Sequence, residues 1–183
     1  MSTDSLKRGR GAARELPDRL RVYARHPVDA GRSLIAGAVS DEDGMRQRAF
    51  VALKGGDESH AVAWARNLDG LEEAYESRAT HCIVANASLY VLLQSDTQAP
   101  QTLSQTLLAV ARLGLLGDVK AVLPLEIPGT QGRACSALVP LVSGAFVWDA
   151  GHLRIGGEHF LLSDPARREP FELLVAPDFE GDP

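Results

Sequence analysis

Residues 57–125 constrain the fold most strongly, because two segments with helical spacing flank one continuous apolar run. Asp57 is placed to cap the first helix, and Gly70 could divide it, with Asp69 and Glu72 capping a second piece. The apolar positions recur at the three-and-four spacing of one buried helix face. They are Ala61, Trp64, Ala65, Leu68, Leu71 and Tyr75.

The second helical segment begins with Thr102–Gln105, which fits a capping box. One face of this helix would then be apolar, through Leu103, Leu107, Val110 and Leu113. Gly114 and Gly117 are expected to end it. Between the two helices, Thr80–Gln94 is too continuous and too rich in β-favouring residues for a surface helix. It predicts either one interrupted strand or two strands that turn at residues 86–88.

Strand patterns occupy the rest of the chain. Residues 33–39 and 46–53 predict a hairpin across an acidic turn, and residues 119–123 predict a strand that ends at Pro124. A short helix is expected at 17–23. The C-terminal part, about 143–176, predicts an antiparallel meander with a turn at Gly156 and Gly157. In that turn, Leu153 would lie opposite Phe160. The strands of the meander are placed at residues 145–148, 152–155, 158–162 and 171–176.

These elements together predict an α+β fold, with a mixed sheet, two main helices on one face and the C-terminal meander. The order of hairpin, helix, strand, helix and strand in residues 33–123 is compatible with a ferredoxin-like arrangement. A chain of 183 residues suits one domain. We therefore expect a basic, flexible arm over residues 1–16 and a single domain over residues 17–183.

Charge separates the arm from the body. Residues 1–25 carry seven Lys and Arg against three Asp and Glu, a net charge of +4, so the remainder carries −9. The negative charge of the body disfavours binding to nucleic acid, so only the basic arm could bind it. The sequence contains no run of 18 apolar residues and no apolar segment after its first basic residues. The pattern therefore predicts a cytoplasmic protein that does not enter a membrane.

Two short motifs could carry chemistry. The segment from Arg154 to Phe160 contains Gly-Gly-Glu-His-Phe and resembles the Gly-Gly-Asp/Glu-Glu-Phe hairpin of diguanylate cyclases, with His159 in place of the second acid. We interpret it as a turn, since paired glycines supply the positive φ angles of tight hairpins. His81 and Cys82 are adjacent, but neighbouring strand residues point to opposite faces, so Cys82 is expected to be a buried and inert thiol.

The sequence contains few candidate metal ligands close to one another. His152 and His159 could share one face of the C-terminal hairpin, with Asp149 nearby, but a metal site needs three or four converging ligands. We therefore predict no catalytic, cofactor or metal site. An acidic, compact body without such motifs favours a non-catalytic protein-binding module of chaperone, immunity or adaptor type, with another protein as partner. An enzyme with a dispersed active site and a structural subunit of a larger assembly are the alternatives, and the oligomeric state stays open.

Overall fold

The structure, a computed structural model, describes residues 15–55, 61–98 and 104–179. Within these ranges the chain forms twelve β-strands and no helix. The expected α+β class, with two main helices on one face of a mixed sheet, is therefore wrong. The described part of the protein is all-β, and its strands pair antiparallel in three four-stranded sheets.

The sheets follow one another along the chain. The first sheet has the order β1-β2-β3-β4, with β1 Leu20–Asp29, β2 Arg32–Ser40, β3 Gln47–Lys54 and β4 Val62–Asn67. The second has the order β5-β6-β7-β8, with β5 Glu76–Ala85, β6 Ser88–Asp96, β7 Thr106–Leu113 and β8 Val119–Pro124. The third comprises β9 Cys135–Leu138, β10 Phe146–Asp149, β11 His152–Leu161 and β12 Asp164–Val175. In the third sheet β10 and β9 both pair with β11, whose other edge pairs with β12.

The second sheet is the middle layer of the molecule. Along β6, Val91 and Leu93 pack against the first sheet, whereas Tyr90 and Leu92 pack against the third. A strand that is covered on both faces has no solvent side, so its sequence does not alternate between apolar and polar residues. This double burial explains the continuous apolar run of residues 89–93.

The second predicted helix is wrong for the same reason. Its described residues from Thr106 onward form β7, in which Leu108 and Val110 face the third sheet while Ala109 and Ala111 face the first. Apolar residues occupy nearly every position of a doubly buried strand, so some of them match helical spacing by chance. Leu107, which a helix would bury, is only half-buried. Residues 102 and 103 of the expected capping box lie outside the described residues.

The first predicted helix is also wrong. Its Trp64 belongs to β4, which pairs with β3 and takes its backbone hydrogen bonds from that neighbour. The Trp64 indole N–H donates to the Leu115 carbonyl at 3.1 Å, which ties the β7–β8 turn to this edge strand. Leu68 is buried in the loop that follows β4. Asp57, the expected cap, lies outside the described ranges. The short helix expected at residues 17–23 is replaced by the start of β1.

Turn residues predicted the strands of the structure better than the spacing of apolar residues did. The hairpin of residues 33–39 and 46–53 is confirmed as β2 and β3. Of the two alternatives for Thr80–Gln94, the structure has two strands, β5 and β6, which turn at Asn86 and Ala87 with φ of 50° and 55°. β8 ends at Pro124 as expected.

The C-terminal meander is antiparallel, and the turn between the strands expected at 145–148 and 152–155 is confirmed at Ala150 and Gly151. The turn expected at Gly156 and Gly157 is wrong. Gly156 and Gly157 are inside the continuous strand β11, and β12 includes residues 164–170, which lie between the strands expected at 158–162 and 171–176. A Cβ on Gly157 would collide with the Leu138 carbonyl oxygen and the Phe171 ring. Gly157 is therefore required for the close approach of β9 and β12 to β11, and not for a turn.

In the described part of the chain no helix is long and apolar enough to cross a membrane. Of the basic arm expected over residues 1–16, the first fourteen residues lie outside the described ones.

Candidate functional site

His81 and Cys82 do not form a nucleophile and base pair. The Cys82 thiol is buried between the first two sheets, 3.8 Å from the Leu34 carbonyl oxygen, and burial raises its pKa to about 12. Such a thiol is protonated at neutral pH and is a poor nucleophile. The His81 ring faces the other way and contacts Phe146 of the third sheet. The expected burial of Cys82 is confirmed.

The three metal candidates are not brought together. His152 and His159 are both in the continuous strand β11, seven positions apart. Side chains alternate between the two faces along a strand, so these two histidines point to opposite faces of the third sheet. The expectation that they share a face is therefore wrong. Asp149 instead accepts a hydrogen bond from Arg154 at 3.2 Å. Among residues 15–55, 61–98 and 104–179, no group of three His, Cys, Asp or Glu side chains could hold a metal ion.

His159 borders a polar cavity of about 370 Å³ at one end of the third sheet. The side chain is buried between Ala137 of β9 and Glu169 of β12, with its ring edge-on to Phe171. Its Nδ1 has no hydrogen-bond partner among the described residues. The charged side chains that line the cavity are two arginines and two carboxylates, so their net charge is zero. They are Arg133, Arg167, Asp164 and Glu169. This balance favours neither an anion nor a cation as ligand.

An exposed apolar segment begins at the end of β9 in the third sheet. Leu138, Leu141 and Val142 are 47%, 56% and 59% exposed, and we call these three residues the apolar ridge. Leu138 pairs with Glu158 and projects from the outer face of the sheet, on the side away from the core. Leu174 of β12 is 65% exposed on the same face. Clustered apolar exposure of this kind is typical of interaction surfaces.

The backbone beneath the ridge is held by buried polar side chains of the second sheet. The Gln94 amide pairs with both backbone groups of Val139: Nε2 donates to the carbonyl at 2.9 Å, and Oε1 accepts from the N–H at 3.1 Å. Gln94 Nε2 also donates to Thr80 Oγ1, which lies 3.0 Å from His81 Nδ1. His81 Nε2 completes the chain by donating to the Pro140 carbonyl at 3.0 Å.

These hydrogen bonds fit the neutral form of His81, which donates through Nε2 and accepts through Nδ1. Burial lowers the pKa of His81, which favours that neutral form. Val139 points into the core and is almost fully buried. Because Val139 and the backbone are fixed from below, the ridge side chains on either side of it are forced outward. The ridge is therefore a preorganised surface and not a loose loop.

On the outer face one cation lies between two carboxylates. Arg154 lies between Asp149, at 3.2 Å, and Glu172, at 3.6 Å. Exposed ion pairs of this kind contribute little to stability, and this group of three keeps one net negative charge. Glu158, the register partner of Leu138, is a further exposed carboxylate on this face.

No protein-family model matches this chain, and no curated protein is significantly similar to it in sequence.

The ridge was not predicted from the sequence. Its signal is the run from Leu138 to Val142, in which four of five residues are large and apolar and the fifth is proline. In the sequence this run is indistinguishable from a short core strand. Only its contacts with Gln94 and His81 determine that Val139 is buried and that its neighbours are exposed.

Proposed function

We propose that this protein is a non-catalytic protein-binding module, of the chaperone, immunity or adaptor type, and that another protein docks on its apolar ridge. The supporting observation is the ridge itself: Leu138, Leu141 and Val142 are about half exposed on a backbone that buried side chains of the second sheet hold in place. Preorganised apolar surfaces lose little conformational entropy on binding, which increases affinity.

The expected mode of binding is hydrophobic. Exposed apolar residues with charged side chains around them resemble the apolar core and polar rim of protein interfaces. Because the apolar contacts would supply most of the affinity, added salt should weaken partner binding only slightly. A cytoplasmic location belongs to the same proposal, and it is supported by the two free cysteines, Cys82 and Cys135.

The test compares a ridge variant with a matched control. The double substitution Leu141→Asp and Val142→Asp places charge on the ridge, and Leu116→Asp places it on the β7–β8 turn, where Leu116 is 84% exposed. All three positions are exposed, so each variant should keep its stability within about 0.5 kcal/mol of wild type. Circular dichroism and urea denaturation verify that both variants are folded.

Wild type, ridge variant and control are then used as baits in native cell extract, and bound proteins are quantified by mass spectrometry. We expect at least one protein that wild type and Leu116→Asp retain and the ridge variant loses more than tenfold, corresponding to about 1.4 kcal/mol. The dissociation constant of that purified partner should change little between 50 and 300 mM salt. Partners that bind the ridge variant as well as wild type would contradict the proposal.

A further inference from the structure

A polar cavity of about 370 Å³ lies between the tip of the β11–β12 hairpin and the segment that leads into β9. The Leu162 N–H donates to the Ala134 carbonyl at 3.0 Å, and this hydrogen bond joins the hairpin tip to that segment. Arg133 and Asp164 are one and two residues away from it, and both line the cavity. The tip therefore brings a cation and a carboxylate together in a cavity that shares no residue with the apolar ridge.

Buried His159 also lines this cavity. His159 is 6% exposed, and its Nδ1 has no hydrogen-bond partner among the described residues. Buried polar atoms almost always have a partner in native proteins, and one without it indicates that a water, an ion or a ligand supplies the bond. The ring is packed against Phe171 on one side, so we expect such a group to approach it from the cavity.

Two of the four charged side chains that line the cavity neutralise each other. Arg167 Nη2 lies 2.7 Å from Glu169 Oε1, and such a pair attracts a further ion only weakly. Neither Arg133 nor Asp164 forms an ion pair with any residue of the described ranges. One cation and one carboxylate are thus available to a ligand.

The available cation is held in place by backbone carbonyl groups. Arg133 Nε donates to the Thr130 carbonyl at 2.9 Å, and Arg133 Nη2 donates to the Gly129 carbonyl at 3.3 Å. These two bonds orient the guanidinium, and they leave its other N–H groups for a carboxylate, which guanidinium binds through paired hydrogen bonds. Arg133 is therefore an oriented carboxylate-binding group at the wall of the cavity.

We propose that this cavity is a binding site for a free α-amino acid. Arg133 holds the α-carboxylate, Asp164 holds the α-ammonium group, and the His159 ring forms a hydrogen bond with the ligand. A ligand with a single charge is attracted by one of the two charged side chains and repelled by the other, whereas a zwitterion is attracted by both. The volume suits so small a ligand, since it is near the lower end of the range of about 300 to 1,000 Å³ for small-molecule sites.

Ligand analogues test the two charges separately. The standard α-amino acids are titrated individually into the protein, and binding is measured by isothermal titration calorimetry. We expect at least one of them to bind with a dissociation constant of about 1 mM or below. Its N-acetyl derivative, which lacks the cation, and its carboxamide, which lacks the anion, should each bind at least about tenfold more weakly. If no amino acid binds, or if the N-acetyl derivative binds as well as the parent compound, the proposal is wrong.

Substitutions assign each charge of the ligand to one side chain. Arg133→Gln and Asp164→Asn should each weaken binding of the amino acid by at least about tenfold. In Arg133→Gln the carboxamide should bind as well as the amino acid, and in Asp164→Asn the N-acetyl derivative should do so. The matched controls are Arg168→Gln and Glu158→Gln, which change exposed residues that do not line the cavity and should keep the wild-type affinity. Circular dichroism verifies that all four variants are folded.

The ring nitrogens of His159 give a local readout. Nitrogen NMR of the histidine side chains is recorded as the bound amino acid is added to the wild-type protein. The His159 resonances should shift, because the ligand supplies a hydrogen bond to its ring. Those of His152, which is exposed on the opposite face of the same strand, should stay unchanged. An amino acid that binds without shifting His159, or that binds Arg133→Gln and Asp164→Asn as tightly as wild type, would overturn the assignment of the site.

Discussion

Alanine substitutions at two adjacent leucines of β7 distinguish the strand from the helix that its sequence suggests. Leu108 is 2% exposed and faces the third sheet, whereas Leu107 is half-buried on the other side of the strand. Leu108→Ala should cost about 3 to 4 kcal/mol, from the lost burial of its side chain and the cavity left behind. Leu107→Ala should cost about 1 kcal/mol, because much less apolar surface is involved.

Urea denaturation monitored by the fluorescence of Trp64 and Trp148 measures both effects. With a denaturant slope of about 2 kcal/mol/M, Leu108→Ala should lower the midpoint by about 1.5 to 2 M, and Leu107→Ala by about 0.5 M. The slope itself should not change. In a helix with Leu103, Leu107 and Val110 on its buried face, Leu107 would be the more costly position. Equal costs, or a larger cost for Leu107→Ala, would therefore refute the strand assignment.

Two further predictions concern side-chain accessibility and strand spacing. In the native protein at neutral pH, a thiol reagent should label half-buried Cys135 well before Cys82, whose pKa burial raises to about 12; rapid modification of Cys82, quantified by mass spectrometry, would contradict its burial. Gly157→Ala should destabilise the protein by about 1 to 3 kcal/mol, because the added methyl collides with Phe171 and the β9 backbone. A Gly157→Ala protein with the wild-type melting temperature would show that the strands are less closely packed.

The accuracy of the sequence-based predictions depended on the kind of signal. Predictions made from turn residues and proline were correct. They are the turn at Asn86 and Ala87, the acidic turn between β2 and β3 and the end of β8 at Pro124, and each depends only on residues adjacent in sequence. Predictions made from the spacing of apolar residues were wrong, because that spacing is informative only when one side of an element faces solvent. In β7 both sides are covered, and helical spacing within a nearly uninterrupted apolar run then carries no information.

The candidate site depends on contacts that are distant in sequence. Gln94 is 45 residues from Val139, and His81 is 59 residues from Pro140, yet these pairs determine which residues of the ridge are exposed. No local pattern encodes such pairings. Similarly, the glycine pair at residues 156 and 157 suggested a turn, although both lie inside β11 and Gly157 leaves room for the Phe171 ring and the Leu138 carbonyl.

The three layers are stacked in the order in which the ribosome makes them, and this has a consequence for synthesis. When residues up to Pro124 have emerged, the middle sheet can pair and pack on the first, but Tyr90, Leu92 and Val110 still lack the strands that will cover them. The nascent chain then carries a bare apolar face until about fifty more residues have been added, which takes about 3 to 10 seconds at ordinary bacterial and eukaryotic elongation rates. During that interval the chain is most vulnerable to aggregation, and a chaperone that shields this face would have its largest effect on the yield of folded protein.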